Sequence, residues 1–395
     1  MNWQCAMLKS LSIKMTLAKV RARARAPDAK LWIGKQTFAR CSNLTSIVIP
    51  SSIVELANDA FFGSRLQSIT FAPGSKLKVI GKSVFANCSS LTSIVLPPLV
   101  EEVKDEAFLS SAIHSITLPS GVKKIGNDVF SNCKNLASIV IPSSIEQLSE
   151  GCFSNSGIEC ITSAPDVKLN EFSAHIFANC SKLRSIELPP SVRMIDEKGF
   201  WKSGLQSIAF SQNSRLWRIG MEAFSLCSDL TAIEIPSLVQ EVYPFAFSKS
   251  GIQSITFAPN SKLKAFSAKI FANCWNLFSI EIPPSIEEID ADTFKDIKVQ
   301  FVTDPIDFQH NKDGEEVNMS EIRFSATVAM GSKLVTRSEV QYIPFALDSG
   351  LKTSSWSLFT NVEQVSLEIP SSVEKIEKNA FLKTNLQSIT FLPNS

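Results

Sequence analysis

The chain has 395 residues, 44% of them hydrophobic, and 39 Lys and Arg stand against 38 Asp and Glu for a formal charge of +1. That apolar content excludes wholesale disorder, and the balanced charge excludes a net pull toward nucleic acid or anionic lipid. With 27 Phe against 2 Tyr, the rings serve packing rather than hydrogen bonding.

Residues 1–21 form an irregular basic segment. Lys9, Lys14 and Lys19 interrupt any apolar run, and no acid precedes Asp28. A cleavable secretory signal needs an uninterrupted apolar core, so none is evident here. Three readings stay open: a degenerate first repeat, an organelle transit-like segment, and an atypical export signal or misplaced start. No uncharged apolar run reaches the roughly 18 residues of a membrane span, and no anchor is evident.

From Ala22 to Lys298 the chain repeats. Units open at Ser46, Ser68, Ser93, Ser115, Ser138, Cys160, Ser185, Ser207, Ala232, Ser254 and Ser279, in steps of 22, 25, 22, 23, 22, 25, 22, 25, 22 and 25. A fixed period in that range is the signature of a solenoid, in which each unit buries its face only against its neighbours. Long units carry a loop such as Ala258-Pro259-Asn260-Ser261, and short units carry Pro-Ser-Ser or Pro-Pro-Ser. Each unit opens with apolar-x-apolar, as in Ile47-Val48-Ile49, closed by Pro50. That alternation predicts one short strand per unit, with Pro at the strand end where no ladder donor is needed. Apolar residues three apart follow, such as Ile53 and Leu56. The unit then ends in Phe, at 38, 61, 85, 108, 130, 153, 177, 200, 224, 247, 271 and 294. The polar and Ala residues before each Phe predict one helical or 3₁₀ turn. One Phe per rung predicts a continuous aromatic spine.

Regularity fails after Phe294. Residues 299–363 read as degenerate repeats, with a charged loop at 304–320 and strand echoes at Ile322-Arg323-Phe324 and Gln341-Tyr342-Ile343-Pro344. A regular unit returns within residues 364–395. The predicted fold class is an α/β solenoid with one short parallel strand per 22–25-residue rung, mostly strand and turn with little helix.

The unit L-x-S-I-x-I-P-x-S-V-x-x-I-x-x-x-A-F-x-x-C-x-x-L, seen in Ser46-Ile47-Val48-Ile49-Pro50 and Asn379-Ala380-Phe381, resembles the BspA-like leucine-rich repeat. Its alternation with S-I-T-F-A-P-N-S-K-L-K is similar to BspA-like surface antigens of trichomonad protists. The resemblance implies a leucine-rich-repeat solenoid. It also implies a non-catalytic, adhesive surface or secreted protein that binds host or matrix ligands, protein or glycan.

The chemistry-bearing residues agree with a non-catalytic role but argue against simple secretion. Cys41, Cys88, Cys133, Cys180, Cys227 and Cys274 recur 45 or 47 residues apart. Alternate rungs lie about 10 Å apart, beyond the roughly 7 Å that a disulfide spans, so these six read as buried, unpaired core thiols. Cys152 and Cys160 leave a bridge geometrically open. Unpaired thiols do not favour an oxidising compartment, so a cytoplasmic scaffold for assembly or signalling stands as the alternative. His114, His175 and His310 sit in no metal or catalytic motif, and no phosphate-binding Gly loop occurs. No catalytic, cofactor or metal residue is assigned, and the expected class is not an enzyme.

The middle residue of I-x-I points away from the core. The candidate ligand-binding face therefore includes Thr117, Thr162, Glu187, Glu234, Thr256 and Glu281, β-branched and uncharged early, acidic on alternate rungs late. Duplication of the unit together with solubility also accounts for the Glu series. Of the sequons at Asn43, Asn87, Asn179 and Asn318, Asn318 is the candidate glycosylation site if the protein is exported.

Overall fold

The computed structural model of the protein describes residues 31–277, 279–280, 283, 285–290 and 293. It also describes the strands Tyr342–Ile343, Thr353–Ser354, Glu363–Ile369, Lys375–Ile376 and Asn385–Phe391. The basic segment 1–21, the 304–320 loop, Glu281, Phe294 and Asn318 lie outside the described residues. The chain divides into two compact bodies at Cys227/Ser228.

The N-terminal body is a parallel β-solenoid whose rungs each lay down three walls. The front wall comes from the I-x-I segments, such as Ser46–Ile49, Ser93–Val95 and Ser138–Ile141. Alternation buries every second side chain, as the period-two pattern requires. The Pro that closes each short front strand starts a tight turn. Ile53 N–H donates to the Pro50 carbonyl at 3.1 Å, and Ile145 N–H to that of Pro142 at 3.1 Å. In long rungs Ala72 takes the place of Pro, its carbonyl receiving Ser75 N–H at 3.2 Å.

The turn delivers the chain to a second strand that the sequence reading did not anticipate. Leu31–Ile33, Ile53–Leu56, Val79–Ile80, Glu102–Val103, Lys124–Ile125 and Gln147–Leu148 pair in that order into one back sheet. Most of these strands are only two residues long, too short to show alternation. The apolar residues placed three apart in the sequence, Ile53 and Leu56, are the two buried positions of one such strand.

The corner wall carries the Phe. No helix occurs among the described residues, and the reason is backbone handedness. In every rung from Phe38 to Phe224 the residues two before and two after the Phe have positive φ, for example Ser83 at 52° and Asn87 at 58° around Phe85. A helix requires consecutive right-handed residues, so this alternation forbids one. It turns alternate N–H groups along the axis instead. Gln36, Phe38 and Arg40 donate to the carbonyls of Asn58, Ala60 and Phe62 on the next rung at 3.2, 2.7 and 2.6 Å. The same triplet recurs around Phe61, Phe85, Phe108 and onward.

The aromatic spine is present as predicted. From Phe38 to Phe224 consecutive rings stack with centroids 5.2–5.6 Å apart and planes 3–23° from parallel. The inner rings are fully buried. Burying each contributes about 1.5–3 kcal/mol.

In the C-terminal body Ala232–Ile235, Ser254–Phe257 and Ser279–Ile280 form a parallel front sheet, and Ala265–Phe266 pairs with Glu288–Ile289 behind it. Phe247 stacks on Phe271 at 5.9 Å. Further along, Tyr342–Ile343 pairs in parallel with Ser366 and Leu367 of the strand Glu363–Ile369, which pairs in turn with Asn385–Phe391. The strand echo read at Gln341–Pro344 thus contains the strand Tyr342–Ile343; the one at Ile322–Phe324 lies outside the described residues.

Candidate interaction face

On the front strands the buried Ile residues fix which way their neighbours point. At Ser185–Leu188, Ile186 and Leu188 are buried while Ser185 and Glu187 are exposed. In-register pairing then lines the outward residues up. Val48 stands beside Thr70, Val95 beside Thr117, Val140 beside Thr162 and Glu187 beside Ala209. In the C-terminal body Glu234 stands beside Thr256. Thr117, Thr162, Glu187, Glu234 and Thr256 are all exposed. Glu187 and Glu234 fall in different bodies, so neither body brings two described glutamates of this series together.

Val48, Val95 and Val140 are 55, 69 and 65% exposed. Single exposed apolar side chains are ordinary, but a regular row of them along one wall is not. Two flanking columns widen this face, and the sequence reading missed them. Ser46, Ser68, Ser93, Ser115 and Ser138 are exposed, and so are Thr45, Gln67, Thr92, His114 and Ala137. The signal was in L-T-S-I and L-Q-S-I, where two residues stand between inward Leu and Ile and turn outward together. From Thr45 to Val140 none of the three columns carries Asp, Glu, Lys or Arg.

The charges lie elsewhere. Lys78 and Glu101 pair at 3.1 Å beside the back strands, both largely exposed. Lys82 meets Glu106 at 3.2 Å on the corner wall, and that hydrogen bond and charge raise the lysine pKa. Exposed pairs of this kind are screened by solvent and contribute little to stability. Asp128 lies close to Gly151 of the next rung. Partial burial raises its carboxyl pKa, the Ser131 hydrogen bond opposes this, and Glu106, Glu150 and Asp105 add repulsion.

The recurrent cysteines belong to the core, as expected, and each has a defined partner where its bonds are resolved. Cys88, Cys133, Cys180 and Cys227 donate S–H to the carbonyls of Phe61, Phe108, Phe153 and Phe200 on the rung before, at 3.2, 3.0, 3.0 and 3.0 Å. Cys274 does the same to Phe247 in the C-terminal body, at 2.9 Å. A Ser hydroxyl sits 3.4–3.6 Å from each of these sulfurs. Burial pushes the Cys133, Cys180 and Cys274 thiols up to about 11. Cys152 is a buried free thiol and Cys160 an exposed one.

Asn87 and Asn179, two sequon residues, have φ of 58° and 58°. Asn tolerates the left-handed region better than most residues, which accounts for their place in the repeat. Asn43 is exposed. His114 flanks a front strand and His175 sits at a left-handed corner position. Among the described residues no group of three or more His, Cys, Asp or Glu is placed to hold a metal ion. No described helix is long and apolar enough to cross a membrane. A cavity of about 10 Å³ in the C-terminal body, between Ile235, Phe247, Phe257 and Phe266, is lined by apolar side chains, which offer a water no partner.

The family model described as "BspA type Leucine rich repeat region (6 copies)" matches residues 25–128, 101–218, 209–313 and 316–395. No curated protein matches the chain. Among solved structures, a leucine-rich repeat protein from Bacteroides ovatus is 23% identical, with a TM-score of 0.54 over 91% of this chain and 87% of that one. The pneumococcal vaccine antigen PcpA is 20% identical, with a TM-score of 0.42 over 68% of this chain and 79% of its own. A leucine-rich cell surface protein from Faecalibacterium prausnitzii is 24% identical, with a TM-score of 0.40 over 63% and 68%. The likeness to the Bacteroides ovatus protein is one of fold.

Proposed function

Since the chain belongs to the BspA-type leucine-rich repeat family, we propose that it is a non-catalytic interaction scaffold, surface-displayed or secreted and adhesin-like, that binds a host or matrix ligand through its front sheet. The observation that carries this reading is the uncharged front face, whose Val row is more than half exposed and held in register with Thr. A solenoid sheet offers an extended surface of this kind, and side chains fixed by a ladder lose little entropy on binding. Thr117 belongs to that uncharged zone, and Thr162 stands at its edge beside Val140. Glu187, Glu234 and Thr256 extend the face past it, with Glu281 as a further member from the repeat pattern. Asn318 is the glycan acceptor this reading favours.

One observation favours a second reading. Cys160 is a free thiol exposed on a front strand, and an unpaired exposed thiol is at home in a reducing compartment. That reading makes the chain an intracellular scaffold for assembly or signalling. Biotinylation of intact cells by an impermeant reagent separates the two. Labelling of the chain supports surface display. Labelling only after lysis, with Cys160 recovered as a free thiol, supports the intracellular scaffold and overturns the adhesin reading.

A further inference from the structure

The front wall of the N-terminal body is interrupted where the other two walls are not. Its strands pair only in twos: Ser46–Ile49 with Ser68–Phe71, Ser93–Val95 with Ser115–Thr117, Ser138–Ile141 with Cys160–Ser163, and Ser185–Leu188 with Ser207–Phe210. No ladder joins Phe71 to Ser93, Thr117 to Ser138, or Ser163 to Ser185. At each of these three slots the back wall stays paired, through Val79–Ile80 with Glu102–Val103, Lys124–Ile125 with Gln147–Leu148, and Glu171–Phe172 with Met194–Ile195. The corner wall also stays closed there. The N–H groups of Phe85, Phe130 and Phe177 reach the next rung's carbonyl at 2.8 Å in each case. The C-terminal body differs, because Ser254–Phe257 pairs forward with Ser279–Ile280 across a step of 25 residues, the same as at the first and third slots. Rung length therefore does not by itself open a slot.

A wall without ladder bonds has the lowest resistance to opening, while the opposite walls act as the hinge. We infer that the front face of the N-terminal body is built of rigid two-rung tiles that separate and close at three slots, hinging on the back and corner walls. Within a tile the spacing of Val95 and Thr117 is fixed by their ladder. Between tiles the spacing of Thr70 and Val95, or Thr117 and Val140, adjusts. A long ligand lying along the face would be matched by small changes at the slots rather than by rotation of side chains. This use rests on the front face being the binding face; the opening itself does not, and is tested without ligand.

Amide hydrogen exchange on the unmodified full-length protein tests it. Slot-facing front amides are expected to exchange about tenfold or more faster than tile-internal amides of the same strands. The back amides of Glu102–Val103, Lys124–Ile125 and Met194–Ile195, each paired on both sides, should stay protected. Ser254–Phe257 serves as a front strand paired on both sides. Equal protection of slot-facing and tile-internal amides overturns the inference. A second measurement uses spin labels in a Cys160→Ser background. Labels at Val48→Cys and Val95→Cys span a slot on the front, and labels at Lys78→Cys and Lys123→Cys span the same number of rungs on the back. A broader distance distribution on the front is expected, and equal widths contradict the hinge. Failure of ligand binding with slots still open would sink the binding reading alone.

Discussion

At the residue scale, the repeat is held by atoms that a hydrophobic pattern does not display. Asn87 is exposed, yet its φ of 58° sends its N–H to the Leu109 carbonyl at 2.7 Å. A β-branched residue fits that backbone poorly. Asn87→Val is expected to destabilise by about 1–2 kcal/mol, and Asn87→Gly to change stability by a few tenths at most, read as shifts in denaturant midpoint. Thiols make a second test. For Cys133, Cys180 and Cys274 burial raises the folded-state pKa from 9.0 to about 11. A thiol that ionises more easily unfolded contributes stability that is complete below the unfolded value and lost as pH rises toward the folded one. Stability should thus fall between pH 9 and 11, followed by chemical denaturation across that window. At neutral pH a maleimide should label Cys160 in the folded protein, while Cys41, Cys88, Cys133, Cys152, Cys180, Cys227 and Cys274 label only after unfolding, as resolved by peptide mapping. Rapid labelling of Cys133 in the native state would contradict the packing described.

At the element scale, the spine sets cooperativity. Phe130 is buried between Phe108 and Phe153 at 5.6 and 5.5 Å. Phe130→Ala should cost about 3–5 kcal/mol and lower the thermal midpoint, whereas Thr117→Ala, on the exposed front, should leave it nearly unchanged. The contrast shows what was legible in the sequence. Strand positions and the Phe stack were readable because inward Ile and Phe must repeat at the rung period whatever surrounds them. The back strands were not, because two residues such as Lys124-Ile125 cannot show a period; their ladder is imposed by the stacked neighbours. The corner was read as a helical turn for a related reason. Its left-handed positions are filled by Glu106, Lys198 and Leu226 as well as by Asn and Gly, so residue identity there signals handedness only in part. The recurring Asn at 87, 132, 155 and 179 and the Gly at 63 and 151 carried that signal. The outward columns of the candidate face were half legible: Thr117 and Thr162 followed from I-x-I, but the Ser and Thr columns beside them required knowing where the strand begins.

At the scale of the whole molecule, balanced net charge conceals an uneven surface. The front of the N-terminal body from Thr45 to Val140 is uncharged, while ion pairs such as Lys78–Glu101 and Lys82–Glu106 lie off that face. Placing charge on the neutral face should abolish recognition of a ligand matched to it, and the same change behind should not. The decisive measurement is binding of three forms of the full chain to an array of glycans and matrix proteins, with circular dichroism confirming that each is folded. These are the unmodified protein, a front variant carrying Val95→Lys, Thr117→Lys and Val140→Lys, and a back variant carrying Lys78→Glu and Lys123→Glu. The predicted result is that the unmodified protein and the back variant bind the same ligands while the front variant binds none of them. Undiminished binding by the folded front variant, or its loss in the back variant alone, would contradict the assignment of the front sheet as the binding face.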